Sequence, residues 1–197
     1  SGRGNDGMFY GGASYDATQK AFEFNGSSDY IRTSITNHAG DYVHSVSIWF
    51  KPDKTTATIA SNEETLFQIG EDFVAGQTIY GSLSGDRFYY GWHTHNVYAE
   101  TTNINQMDWN HICVTYTGGG STTSTRKIYL NGKAEGTTLT GTSGQLLSLP
   151  KDTHLTLGAK KGAHLHPFDG SISNFKLYDC ALTPQEVKTL YDMGRCD

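Results

Sequence analysis

Apolar and polar residues alternate along most of the 197-residue chain. In HSVSIWFKP and RFYYGWH, for example, every second residue is apolar or aromatic. Such alternation sends successive side chains to opposite faces of a β-strand. Eleven stretches of this kind, from KAFEFNG to GSISNFKLY, are separated by turn signals such as Asn25-Gly26 and Asn131-Gly132. The pattern predicts an all-β protein built as a sandwich or closed barrel of short strands.

Helical spacing occurs only near the end of the chain. That stretch has an N-cap residue, a glutamate three positions later, a proline at the first helical position, an i, i+3, i+4 apolar stripe and a glycine stop. We expect one short amphipathic helix, packed on a sheet edge or closing one end of the sandwich. These features are Thr183, Glu186, Pro184, the stripe of Val187, Leu190 and Tyr191, and Gly194.

The composition argues against nucleic acid and membrane as binding partners. The formal net charge is −5 and the sequence has no long cluster of basic residues, so nothing attracts a nucleic-acid backbone. No apolar run is long enough to insert into a membrane. Residues 1–19, polar and glycine-rich, are predicted to be an N-terminal arm or linker, and residues 20–197 a single domain. The start at Ser1 suggests a piece of a larger polypeptide, and Cys113, in an apolar strand, is predicted to be a buried free thiol.

Several stretches, in order, resemble the laminin-G-like jelly rolls of the concanavalin A-like lectin/glucanase fold. They are AFEFNGSSDYI, VSIWFKP, WNHICVTY, KIYLNGK and FDGSISNFKLYDCALTPQEVKTLY. The resemblance runs from about Lys20 to Met193 and implies a two-sheet antiparallel β-sandwich with one short C-terminal helix. The ending LYDMGRCD also resembles modules in structural or surface proteins of large DNA viruses of algae.

The family includes carbohydrate-binding modules, protein-binding adhesion modules and glycan-cleaving enzymes, so the fold alone does not decide the function. Glucanases of this fold use carboxylates that alternate along one strand. The pairs Glu63-Glu64 and Glu71-Asp72 are not in that pattern. The stretch YYGWHTHNVY supplies the tyrosine and histidine that some jelly-roll lyases use. A polysaccharide lyase or glycoside hydrolase therefore stays as an alternative.

The resemblance also implies a structural calcium ion beside the opening turn and the last strand. Calcium takes six to eight oxygen ligands. The alternative is ordinary turn chemistry without metal. The pairs His93-x-His95 and His164-x-His166 each supply fewer ligands than a zinc site requires. The candidate calcium ligands are Asn25, Asp29, Asp169 and Asn174.

The densest group of aromatic and polar residues is DRFYYGWHTHNVYAE. As a hairpin it directs Phe88, Tyr90 and Trp92 to one face, predicted to be the core, and leaves the other face for a ligand. The loop KKGAHLHPF is predicted to lie beside it. The candidate ligand contacts are Arg87, Tyr89, His93, His95, Asn96, His164 and His166.

These observations favour a non-catalytic binding or adhesion module that recognises carbohydrate, on a glycan or glycoprotein surface. We expect it to belong to a larger surface or virion protein and to act outside the cell or on the virion surface. Besides the enzyme alternative, a purely structural capsid or protein-docking module remains open.

Overall fold

Two antiparallel β-sheets pack face to face in the computed structural model. The structure describes residues 6–36, 38–54, 63–70, 76–85, 87–92, 95–99, 104–105, 107–160 and 165–195. Within these ranges the elements are β1 (Met8–Tyr10), β2 (Ser14–Asp16), β3 (Ala21–Asn25), β4 (Tyr30–Thr36), β5 (His44–Pro52), β6 (Glu64–Gly70), β7 (Thr78–Ser84), β8 (Arg87–Trp92), β9 (His95–Ala99), β10 (Asn110–Tyr116), β11 (Arg126–Leu130), β12 (Lys133–Ala134), β13 (Thr137–Thr140), β14 (Asp152–Leu157), β15 (Asp169–Tyr178) and α1 (Pro184–Asp192).

The two sheets account for every described strand. The first sheet has the order β1-β4-β14-β6-β7-β8-β9-β13, and the second sheet has the order β12-β11-β10-β5-β15-β3-β2. The predicted all-β sandwich is confirmed, and each of the eleven predicted stretches contains a strand. The short strands β1, β2 and β13 were not predicted.

The core lies between the sheets and follows the alternation seen in the sequence. Val46, Ile48 and Phe50 of the second sheet are fully buried, as are Tyr90 and Trp92 of the first. Because these side chains occupy alternate positions, the residues between them point to the outer faces of the sandwich. The outer face of the first sheet thus carries the other half of the β8 sequence.

The N-terminal segment is paired with the sandwich over much of its described length. β1 pairs with β4 in the first sheet, and β2 pairs with β3 in the second. The rings of Tyr10 and Tyr30 stack with their centroids 4.4 Å apart. The segment predicted to be an arm or linker therefore contributes an edge strand to each sheet, and the predicted boundary after residue 19 does not mark a change from unpaired to paired chain.

Helix α1 begins with the predicted capping box. The hydroxyl of Thr183 accepts a hydrogen bond from the Glu186 backbone N–H, and the Glu186 side chain accepts one from the Thr183 N–H. Pro184 occupies the first turn, and the chain leaves the helix at Gly194 with a φ of 73°. Among the described residues, no helix combines the length and the apolar character needed to cross a membrane.

The helix lies on the outer face of the second sheet. Val187 is fully buried against Cys113 and Tyr129, and the ring of Tyr191 stacks on Trp49 with centroids 5.7 Å apart. Trp49 belongs to β5, the middle strand, so the helix extends from the centre of the sheet toward β12. The prediction that it packs on an edge or closes an end was therefore wrong. The buried free thiol at Cys113 is confirmed.

Gly132 makes room for the helix. It follows Asn131 in the turn between β11 and β12, and both residues have positive φ, as the Asn-Gly signal predicts. A Cβ atom at Gly132 would lie 2.8 Å from the Tyr191 ring. The turn therefore requires glycine for its backbone conformation and for the approach of α1.

Candidate functional site

The outer face of β7, β8 and β9 presents an aromatic and polar surface, which we call the tyrosine face. Four of its five members are half-buried, and the fifth, Tyr80, is 9% exposed. Register explains the grouping, because Tyr89 lies opposite Tyr98, while Gly91 lies between Tyr80 and Asn96 in one cross-strand row. The members are Tyr80, Arg87, Tyr89, Asn96 and Tyr98.

Arg87 and two tyrosines contact one another on this face. The Arg87 guanidinium carbon lies 4.7 Å from the centroid of the Tyr98 ring. The rings of Tyr89 and Tyr98 lie 5.4 Å apart at 41°. A guanidinium held over an aromatic ring gains about 0.5–1 kcal/mol at an exposed site and keeps its N–H groups directed sideways. The cluster combines apolar ring surface with a fixed hydrogen-bond donor.

Tyr80 connects this face to the loop that follows β14. Its hydroxyl donates to Asn96 Oδ1 at 2.8 Å, and burial raises the pKa of the phenol well above its ordinary value. The Lys160 ammonium lies 3.7 Å from the centre of the Tyr80 ring and forms a salt bridge with Glu63. The two stretches are therefore linked through Tyr80 and through Lys160, the first residue of the loop KKGAHLHPF; neither side chain was among the predicted contacts.

The predicted contacts do not all lie on the tyrosine face. Arg87, Tyr89 and Asn96 lie on the tyrosine face, and His95 is half-buried at the start of β9. His166 Nε2 lies 3.6 Å from Glu63 Oε2, so it reaches the face only through Glu63 and its lysine partner. The other two, His93 and His164, lie outside the described residues.

A buried arginine contacts the last residue of β8 and the first residue of β9. Arg126 Nη1 donates to the His95 carbonyl at 2.6 Å, and the guanidinium carbon lies 4.4 Å from the centre of the Trp92 ring. Burial lowers the pKa of Arg126 to about 10, so it remains protonated at neutral pH. The cation fixes the end of the hairpin that carries His95 and Asn96.

Two of the predicted calcium ligands are occupied by backbone donors. Asp29 Oδ1 accepts from the Gly12 N–H at 2.6 Å, and Asp29 Oδ2 accepts from the Asn25 N–H at 3.1 Å. Asn25 Oδ1 accepts from the N–H groups of Ser27 and Ser28 at 2.9 and 3.0 Å. These oxygens organise the turn between β3 and β4, which is the non-metal alternative that the Asn-Gly signal allows.

The third predicted ligand is paired with a lysine. Lys54 Nζ lies 3.0 Å from Glu64 Oε1 and 3.3 Å from Asp169 Oδ2. Burial raises the pKa of Glu64, and the lysine opposes that rise. A protein ammonium therefore supplies the positive charge between these two carboxylates.

Asn174 does not belong to the same cluster. It lies five residues after Asp169 on β15, roughly 16 Å along an extended strand. It has positive φ at the β-bulge and lines a small pocket with Trp49 and Leu190. Ligands of one calcium ion each lie within about 2.6 Å of it. The four residues therefore do not fit a shared calcium site, and the described residues contain no group of three or more His, Cys, Asp or Glu suited to a metal.

The described acidic pair Glu63-Glu64 does not form a hydrolytic dyad. Glu63 is bound to Lys160, and the Glu64 side chain is 3% exposed and bonded to Lys54. A buried, paired carboxyl cannot reach a glycosidic oxygen. The second acidic pair, Glu71-Asp72, lies outside the described residues.

Comparison with known proteins agrees with this architecture. A solved structure of a native heptameric SAP-like pentraxin from Limulus polyphemus superposes with a TM-score of 0.61 at 17% identity, over 86% of this chain and 80% of that chain. The rat sushi, von Willebrand factor type A, EGF and pentraxin domain-containing protein 1 is 34% identical over 93 residues, which are 44% of this chain and 2% of that protein. The likeness to the pentraxin shows a shared fold.

The family is shown by the sequence itself. Residues 25–188 match the family described as the concanavalin A-like lectin/glucanases superfamily. That range extends from the end of β3 into α1 and includes the whole tyrosine face. The resemblance to viral modules is untested by these comparisons and stays a prediction. The chain belongs to the concanavalin A-like lectin/glucanases superfamily.

Proposed function

We propose that the protein is a non-catalytic carbohydrate-binding module and that the tyrosine face holds the glycan. The observation that carries the proposal is the half-exposed cluster of Arg87, Tyr89 and Tyr98. The C–H surface of a sugar ring packs on an aromatic ring, while its hydroxyls need planar donors and acceptors. The cluster supplies the rings and a guanidinium, and Asn96 supplies an amide beside them.

The proposed site is open, so its affinity is expected to be modest. A shallow face buries little of its ligand, and dissociation constants between millimolar and micromolar correspond to about −4 to −8 kcal/mol. Lys160, Glu63 and His166 lie at one side of the face and offer further contacts to a longer chain of sugars.

The setting we propose is a larger extracellular or virion-surface polypeptide. The rat relative's name describes a protein with several kinds of domain, and this chain spans 2% of its length. A module in such a protein would attach the whole molecule to a glycan or glycoprotein surface. A weak single site suits that role, because several linked modules multiply the effective affinity.

The test is retention of the protein on a panel of polysaccharides in affinity electrophoresis, with each polymer assayed afterwards for new reducing or unsaturated ends. We expect retention without products. The double variant Tyr89→Ala, Tyr98→Ala should lose at least about tenfold in affinity, as truncation of two central contacts implies. The control is Tyr15→Ala, because this exposed tyrosine lies in β2 of the second sheet.

Each other outcome contradicts a stated part of the proposal. Full affinity in the double variant would show that the glycan binds elsewhere. New chain ends would show an enzyme. Absence of retention on every polymer would favour the structural or protein-docking module.

A further inference from the structure

The turn between β3 and β4 contains an acceptor sequence for N-linked glycosylation, Asn25-Gly26-Ser27. In such a sequence, Asn-x-Ser or Asn-x-Thr, an oligosaccharide is attached to the asparagine side chain. No other asparagine of the chain is followed two positions later by serine or threonine. A three-residue match is weak evidence by itself, so the exposure and the hydrogen bonds of the amide decide whether a sugar can be attached.

The acceptor side chains lie at the surface. Asn25 and Ser27 are both exposed, and Gly26 between them carries no side chain. The Gly26 N–H donates to the Phe168 carbonyl at 3.0 Å, and a Cβ atom at Gly26 would lie 2.7 Å from Asp169. The turn is therefore held against the sandwich at its middle residue, while the residues on either side remain accessible.

The two ends of the Asn25 amide have different roles. Oδ1 accepts hydrogen bonds from the backbone N–H groups of Ser27 and Ser28 at 2.9 and 3.0 Å. Because a backbone N–H can only donate, these two bonds identify the oxygen and leave the nitrogen as the other atom. Among the described residues, the contact of Nδ2 is Ser28 Oγ at 3.5 Å, which is long for a hydrogen bond. The turn thus depends on Oδ1 and makes little use of Nδ2.

Attachment of a sugar changes only the nitrogen. The donor is an oligosaccharide carried on a polyprenyl diphosphate. Nδ2 forms a bond to the anomeric carbon of the first sugar, the bond from that carbon to the diphosphate oxygen breaks, and the diphosphate leaves with the electron pair while Nδ2 releases one proton. Oδ1 keeps both lone pairs, so its bonds to the Ser27 and Ser28 N–H groups persist. The folded turn is therefore compatible with the modification.

The contacts that shape the acceptor are local in sequence. Oδ1 of Asn25 bonds to N–H groups two and three residues away, and the Asn25 N–H donates to Asp29 Oδ2 at 3.1 Å. Closing such a short loop costs little entropy and does not require the second sheet to be complete. The acceptor conformation is therefore accessible to a chain that is still being synthesised.

We propose that Asn25 is an N-glycosylation site and carries an oligosaccharide when the chain passes through a secretory pathway. The proposal goes beyond the proposed function and rests on its extracellular setting. β3 lies beside β2 near one edge of the second sheet, whereas the tyrosine face belongs to β7, β8 and β9 of the first sheet. The oligosaccharide is therefore expected to leave the tyrosine face uncovered.

The test is expression behind a signal peptide in a secreting eukaryotic cell, with mass spectrometry of protein from both cells and medium. Peptide N-glycosidase in heavy-oxygen water marks the former site, because hydrolysis leaves an aspartate with one heavy oxygen. The variant Ser27→Ala removes the acceptor sequence but keeps the backbone N–H that the turn uses. It also keeps Asn25-Gly26, so spontaneous deamidation is matched. The controls Ser27→Thr and Ser28→Ala keep the acceptor sequence.

We expect an oligosaccharide on Asn25 in wild type, Ser27→Thr and Ser28→Ala, and none in Ser27→Ala. Wild type and Ser27→Ala should unfold at the same urea concentration, because the bonds of the turn are the same. Wild type without an oligosaccharide in both cells and medium overturns the proposal. Heavy-oxygen label at residue 25 that persists in Ser27→Ala overturns it as well.

This proposal and the proposed function fail separately. Retention on polysaccharides is measured for wild type and Ser27→Ala, and equal affinity is expected. Glycosylated Asn25 without retention on any polymer overturns the carbohydrate-binding module and keeps the modification site. Retention of a wild type that carries no oligosaccharide keeps the module and overturns the modification site. Retention of Ser27→Ala alone would show that the oligosaccharide covers the binding surface, contrary to its expected place.

Discussion

Lys54 lies beside Asp169, where the family resemblance predicted a metal ion. Although burial lowers it, the pKa of Lys54 is raised by its bonds to Glu64 and Asp169. The ammonium thus neutralises a carboxyl whose side chain is 3% exposed. At the scale of single residues, the Lys54 ammonium supplies the positive charge beside Asp169 that the resemblance assigned to calcium.

Replacing Lys54 by methionine should destabilise the protein by about 2–4 kcal/mol, because Glu64 would be left buried and unpaired. The pKa of Glu64 is already raised, chiefly by burial, and would rise further. The loss should therefore shrink as the pH falls and the carboxyl takes up a proton. Urea denaturation at pH 7.5 and pH 5 measures both effects.

Two controls accompany this variant. Lys151→Met removes an exposed lysine and should change stability by less than about 0.5 kcal/mol. Adding Glu64→Gln to Lys54→Met should restore part of the loss. If the Lys54→Met protein were as stable as wild type at both pH values, the Lys54–Glu64 pair would not contribute to the stability of the fold.

Chelation of calcium should leave the melting temperature unchanged. A ligand that binds only the folded state stabilises it by mass action, so its removal lowers the melting temperature. Three of the four predicted ligands, Asn25, Asp29 and Asp169, are bonded to backbone donors or to Lys54. The measurement is a thermal melt with chelator, repeated after excess calcium. A reversible fall of several degrees would place a calcium ion on other residues.

Individual positions show how much of the fold and of the candidate site the sequence could predict. Alternation placed Phe88, Tyr90 and Trp92 inside and Arg87 and Tyr89 outside, because a strand has only two faces. The contact between the ring of Tyr80 and the ammonium of Lys160 was not predictable, since it depends on how a loop from β14 folds back over β7. Alternation indicates which face a residue occupies and says nothing about which distant segment covers it.

At the scale of elements, the sequence predicted the capping box and the apolar stripe of α1 correctly, but not the surface on which the helix packs. The stripe shows that one side of the helix must be buried, but it does not indicate which part of the sandwich covers that side. The answer lies in the second sheet, where Cys113 leaves space for Val187 and Gly132 leaves space for Tyr191. Strands β1, β2 and β13 were not predicted because three or four residues are too few to show alternation.

Deleting residues 183–197 should destabilise the domain by several kcal/mol, since about three apolar side chains lose their burial. It should also uncover Cys113, whose pKa burial raises to about 12. The measurement is the rate of thiol modification of the folded protein. Both the full chain and the truncated chain carry Cys180→Ser, and the full chain also carries Cys196→Ser, so Cys113 is the only thiol.

The reagent should modify the truncated protein many times faster than the full chain. Val187→Ala is the milder variant and should cost about 1–3 kcal/mol while keeping the helix. If truncation changes neither the melting temperature nor the reactivity of Cys113, the helix is an appendage.

At the scale of the whole molecule, stability should depend on pH through two buried histidines. Burial lowers the pKa of His44 and of His111 to about 4. His44 Nδ1 donates to the Tyr42 carbonyl at 2.7 Å, so Nε2 accepts from the Tyr90 hydroxyl. His111 Nε2 bonds with the Ser47 hydroxyl at 2.9 Å. Both imidazoles are thus held neutral inside the fold.

Stability from these histidines is complete above about pH 6.5, the value in an unfolded chain, and is lost as the pH falls toward 4. At pH 5 each of the two histidines should have lowered the free energy of unfolding by about 2 kcal/mol. Urea denaturation between pH 7.5 and pH 5 measures the loss, and the variant His44→Gln, His111→Gln should show a shallower slope. Imidazole resonances of His44 and His111 that shift with a midpoint near 6.5 in the folded protein would contradict this account.

The position of β15 has a consequence for how the protein is made. β15 lies between β5 and β3 and pairs with both, yet it follows β5 by more than a hundred residues. At synthesis rates of 5–20 residues per second, β5 leaves the ribosome roughly 6–25 s before its partner exists. Throughout that interval Ile48 and Phe50 lack the strand that completes their sheet. We therefore expect the central strand β5 to remain incompletely paired during synthesis, and the sandwich to close only when almost the whole domain has been translated.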